Sequence, residues 1–164
     1  MVARLFFELY IKNMIDINFQ KKPISVSIKH NAYYKLIILL AIINYCARGK
    51  KASLLLIHLV FWSLRNSDNY KILYDFSKNY RSTLVPWTFE SGIDQVLSLG
   101  YIYHFFEKEI VTDTLEIKIS SDGETLLKNI ENEKLFEEDI TKIKQIGQLP
   151  KVKINRANNN WTLV

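Results

Sequence analysis

Three histidines and one cysteine are the residues of this 164-residue chain best suited to metal binding or covalent chemistry, and their spacing argues against both. A metal site gathers its ligands, whereas His30, His58 and His104 stand far apart. His58 falls inside an apolar run, where a satisfied core histidine is the plainer reading. Cys46 and His58 have the residue types of a nucleophilic pair, yet both belong to helices that read as buried, where a thiol is inert. Gly49-Lys50-Lys51 lacks the preceding glycine of a phosphate-binding loop. Glu131, Glu133, Glu137, Glu138 and Asp139 read as a solvated helix face rather than paired catalytic acids. The expectation is a protein with no catalytic residue, no cofactor and no metal.

The composition supports a folded domain. Hydrophobic residues make up 48% of the chain and aromatics 13%, enough apolar surface to offset the entropy lost on folding. Only 5 Gly and 3 Pro interrupt it, which favours helices over a turn-rich sandwich. A single cysteine closes no intrachain disulfide, and a reducing compartment fits it. At the N-terminus, Arg4 and Leu5-Phe6-Phe7 are cut short by Glu8, so the apolar core is too brief for a signal peptide. The apolar runs Leu36–Ala47 and Leu54–Leu64 are separated by Arg48, Lys50 and Lys51. Neither reaches the roughly 18 residues of a membrane span, so a cytoplasmic protein without membrane contact is expected.

The elements follow from periodicity. Residues 1–29 form an N-terminal arm, 30–147 a winged-helix domain and 148–164 a C-terminal tail; Met14 offers a second start within the arm. Ala32–Ala47 is apolar on nearly every face except at Lys35 and Asn44, as suits a helix in the middle of a bundle. Ser53 can cap a helix over Leu54–Leu64, and Asn69–Asn79 reads as an amphipathic third. Pro86 pre-sets helical dihedrals, Phe89, Ile93, Val96 and Leu97 recur at helical spacing, and Gly100 ends the run. Tyr101–Phe106 is rich in strand-favouring aromatics and Leu115–Ile119 alternates as a half-buried strand. Ser120 or Ser121 then caps a helix to Ile130, and Glu133–Gln145 forms another. The predicted fold is mainly α with a small β-hairpin, a winged helix with extra N- and C-terminal helices. After Leu149–Asn160, a polar stretch read as a tether, Trp161 either tucks back on the core or docks on a partner.

Charge is unevenly spread. Residues 1–81 hold 13 Lys or Arg against 4 acids, residues 82–147 hold 6 against 13, and the tail adds 3 bases, for a net +5. Either the basic half meets a polyanion or acidic protein, or the halves neutralise one another in the fold. A winged helix reads DNA with the helix before its wing, but Thr88, Glu90, Ser91, Asp94, Gln95 and Ser98 include no base. The wing carries Glu107, Glu109, Asp113 and Glu116 against Lys108 and Lys118. Such a surface repels phosphates. The candidates for weak, non-specific DNA contact are Lys21, Lys22, Lys29, Lys50, Lys51, Lys151, Lys153 and Arg156.

Three segments carry a resemblance: His58-Leu59-Val60-Phe61-Trp62-Ser63-Leu64-Arg65; Val85-Pro86-Trp87-Thr88-Phe89 with Ile93-Asp94, Leu97 and Gly100-Tyr101-Ile102; and Lys118-Ile119 with Gly123-Glu124 and Leu127. Over residues 30–147 the chain resembles the middle component of bacterial three-component ABC systems. These are small winged-helix proteins associated with an SMC-like ATPase, some of them in Lamassu-type defence against phage and plasmids. The resemblance implies an adaptor that joins the ATPase to an effector, often a nuclease, with DNA touched non-specifically through the complex. Trp87, Phe136, Ile140, Ile143 and Trp161 are then the candidate partner contacts. A DNA-binding transcriptional regulator of the same fold is the alternative.

Overall fold

The computed structural model describes residues 27–111 and 113–160. These residues form seven α-helices and three short strands. The expected N-terminal helix, Lys21, Lys22 and Trp161 lie outside the described residues.

Helix α1 (Ala32–Cys46) is the axis of the fold, and its lack of a polar face explains why. Leu36 to Ile43 are all sealed from solvent. A helix with no wet side must be covered all round, and α1 packs against α2 (Leu54–Ser63), α4 (Ile93–Ile102), α5 (Ser121–Asn132), α6 (Glu137–Ile146) and the sheet. Asn31 starts α1, its side chain accepting from the Tyr33 N–H at 2.8 Å. Ser53 and Asn66 do the same for α2 and α3 (Ser67–Ser77).

The sheet is antiparallel, in the order β1-β3-β2, from β1 (Lys51–Ser53), β2 (Phe106–Val111) and β3 (Thr114–Ile119). β3 pairs Ile117 with Ala52 on one side and with Lys108 on the other. Its inward residues Ile117 and Ile119 are buried, as their alternation requires. β1 was not expected: three residues with one small apolar side chain carry no strand signal of their own.

Several expected boundaries are corrected. The helix expected from Pro86 begins only at Ile93, after Gly92 at φ 73°, so Thr88, Phe89, Glu90 and Ser91 lie on an irregular segment instead. Gly100 does not end that helix but lies within it. A Cβ at Gly100 would overlap the Phe106 ring, so the glycine serves close packing of helix on strand. The strand expected from Tyr101 starts at Phe106, because the helix continues to Ile102 and turns through His104 at φ 59°. The helix expected at Glu133 begins at Glu137, since Lys134 and Phe136 both take left-handed conformations.

The largest departure is in the tail. Instead of a tether, Lys151–Asn159 forms α7, with Leu149, Ile154 and Ala157 buried in the same core as α1. Leu149 donates its N–H to the Cys46 carbonyl at the end of α1, 2.9 Å away. Lys153 Nζ donates to the carbonyls of Phe76 and Ser77 at 2.7 and 3.2 Å, placing a cation on the negative end of α3. The tail thus closes two helix ends at once.

Candidate interaction surface

The densest polar cluster ties the irregular segment before α4 to the two first helices. Lys35, in the first turn of the apolar α1, reaches Glu90 Oε1 at 2.7 Å and the Ser91 carbonyl at 2.8 Å. Arg65, just past α2, donates to Glu90 Oε2 from Nη2 at 2.9 Å and from Nε at 3.2 Å. It also binds the Thr88 hydroxyl and the Phe89 carbonyl. Burial alone would raise the Glu90 carboxyl, but hydrogen bonds and charge from Lys35 and Arg65 outweigh it and hold the group below its ordinary value. The Glu90 N–H donates to His58 Nδ1 at 3.1 Å, so that nitrogen carries no proton. Burial chiefly, with the Arg65 charge, pushes the His58 pKa down, against a smaller upward pull from Glu90.

This clasp presents Phe89 outward. The ring is 66% exposed, yet it lies 4.7 Å from the His58 ring and 5.4 Å from that of Trp87. Trp87 itself is buried, its Nε1 donating to Asn158 on α7 at 3.2 Å. The clasp is therefore continuous with the tail.

The second polar surface is the outer face of the sheet. Cross-strand register sets Lys51, Lys118 and Glu107 in one row and Ser53, Glu116 and Glu109 in the next. Opposite charges meet between the rows, within a row and from the tail: Lys51 with Glu109, Lys118 with Glu107 at 3.6 Å, and Lys151 of α7 with Glu116 at 3.4 Å. The neighbouring Lys50 pairs with Glu124 at 2.7 Å.

The chain matches no protein-family model, no curated protein sequence and no solved structure.

The structure brings few of the candidate residues together as free surface. Of the candidate DNA contacts, Lys50, Lys51 and Lys151 stand in ion pairs, and Lys153 caps α3. Lys29 donates to the Leu64 carbonyl at the end of α2, 2.7 Å away, and Arg156 is exposed on α7. Of the candidate partner contacts, Trp87, Ile140 and Ile143 are buried in the core. Phe136 is partly buried, edge-on to Tyr34 at 5.2 Å. These four side chains pack within the domain. Three of the acids read as solvated are also engaged: Glu131 accepts from Tyr45 at 2.7 Å, Asp139 from Tyr34 at 2.8 Å and Glu138 from Lys142 at 2.6 Å. His30 and His104 sit in separate turns, and the Cys46 thiol is pushed up to about 12 by burial. Among the described residues no helix is long and apolar enough to cross a membrane.

Sequence reasoning missed the clasp. Its signal was Lys35, a lone cation in an apolar helix, which required a buried counter-charge. Nothing local named Glu90 as that partner.

Proposed function

We propose that the chain is a non-catalytic, cytoplasmic winged-helix adaptor. It joins an SMC-like ABC ATPase to an effector, a nuclease in the reading the resemblance favours, within a defence complex against phage and plasmids. The order of elements supports the winged-helix part: α1, β1, α2, then α4 and the hairpin, with α3 inserted and the hairpin's second strand central in the sheet.

The observation that carries the adaptor part is the charge of the helix and hairpin. A helix that enters the major groove needs neutral or basic side chains beside the phosphates. Helix α4 offers Asp94, Gln95 and Ser98 and no base, and the bases of the sheet face already answer its carboxylates. A surface so balanced suits contact with protein.

Expressed with the proteins encoded beside it, the chain should co-elute with an SMC-type ATPase. Monomeric elution, under conditions where the other subunits assemble, overturns the reading. The isolated chain should bind duplex DNA weakly, without sequence preference and with steep loss on added salt. A nanomolar, sequence-specific footprint that disappears on changing Asp94, Gln95 and Ser98 to alanine would favour the regulator instead.

A further inference from the structure

Among the described residues strand β2 ends the sheet, with β3 on one flank and no strand on the other. Phe106 at its start is buried under α4, but Glu107 and Lys108 are exposed, Glu109 is half-buried and Ile110 is 76% exposed. Ile110 lies directly across from Leu115, so the two extend the apolar face of the hairpin beyond the core. Backbone N–H and C=O groups on such an edge are a template for another strand.

The charges decide which strand. In a two-fold pairing of β2 with a second copy, each side chain keeps its own face, so facing residues share parity. A register centred on Lys108 puts Lys108 against Lys108 and Glu107 against Glu109. One centred on Glu109 puts Glu109 against Glu109. Facing like charges destabilise a sheet, so both registers that pair five residues within Phe106–Val111 are penalised. The charges that reject a second copy favour a complementary strand from a different protein.

We infer that the free edge of β2 docks an extended segment of a partner protein, with Lys or Arg at the two alternate positions facing Glu107 and Glu109 and an apolar residue facing Ile110. Cross-strand neighbours sit close enough for these pairs to form, and the partner's cations would share Glu107 and Glu109 with Lys118 and Lys51. The inference rests on the adaptor reading and gives it a surface: the segment belongs to the ATPase or to the effector.

Hydrogen exchange on the full chain, alone and in the complex purified with its encoded neighbours, tests it. Amides of Glu107–Val111 should exchange at least tenfold more slowly in the complex. Ile110→Asp should weaken assembly at least tenfold and Glu107→Gln with Glu109→Gln severalfold, while the melting temperature of the isolated chain changes little, because exposed ion pairs contribute little to stability. A complex that forms with unchanged β2 exchange, or that tolerates Ile110→Asp, overturns the inference and leaves the adaptor reading standing. Failure of the unaltered chain to form any complex overturns both.

Discussion

Lys35 Nζ and Glu90 Oε1 meet 2.7 Å apart inside the protein, with side chains only 7% and 14% exposed. The pair draws a non-helical segment across the apolar flank of α1. Taking charges out of water is costly, and removing one member leaves the other uncompensated. Glu90→Gln keeps the shape and removes the charge, and should cost about 3 kcal/mol in urea unfolding. Adding Lys35→Met should recover part of that loss, because no unpaired ammonium then remains. A cost below about 0.5 kcal/mol, in the range of exposed ion pairs, would show that the clasp is not a desolvated pair.

His58 gives the clasp a pH dependence. Its Nδ1 accepts the Glu90 N–H, and burial lowers its affinity for a proton in the folded state. The unfolded chain therefore takes up that proton first, and the contribution is full above about 6.5 and declines as the pH falls below it. Glu90, held below its ordinary 4.5, loses its own contribution only at lower pH. Urea midpoints at pH 7.5 and 5.5 should fall more for the unaltered chain than for His58→Phe. Equal falls would remove His58 from the account.

Gly100 meets Phe106 where α4 crosses the sheet. Gly100→Ala gains roughly 1 kcal/mol of helix propensity, but its methyl group must displace a buried ring. Overpacking of this kind costs about 1 to 3 kcal/mol, so net destabilisation is expected. Adding Phe106→Leu should restore part of it. A more stable Gly100→Ala chain would show that the ring moves freely.

The tail should behave as core. Ile154 is 1% exposed, and Ile154→Ala should cost about 2 to 4 kcal/mol. Lys153→Met removes the cation from the end of α3 and should cost about 0.5 to 1 kcal/mol, less at high salt. Melting curves of both variants check this. No change in either would mean that α7 is not docked.

The sequence alone was enough for whatever depended on residues close together in the chain. The apolar surround of Leu36–Ile43 made α1 central, Ser53 and Ser120 were legible as caps, and the alternation of Leu115–Ile119 marked β3. These features rest on propensity, hydrogen bonds to neighbouring amides and the period of side-chain burial, all local quantities. Tertiary structure decided the rest. The helix expected from Pro86 starts late because Arg65 holds the Thr88 hydroxyl and the Phe89 carbonyl. Lys51-Ala52-Ser53 is a strand only because β3 lies beside it, and the polar tail is a helix because the ends of α1 and α3 accept its hydrogen bonds. The same holds for the charge asymmetry. The residue counts were plain in the sequence, but whether Lys50, Lys51 and Lys151 face solvent or Glu124, Glu109 and Glu116 is a matter of distance in space, and only the folded chain sets that distance.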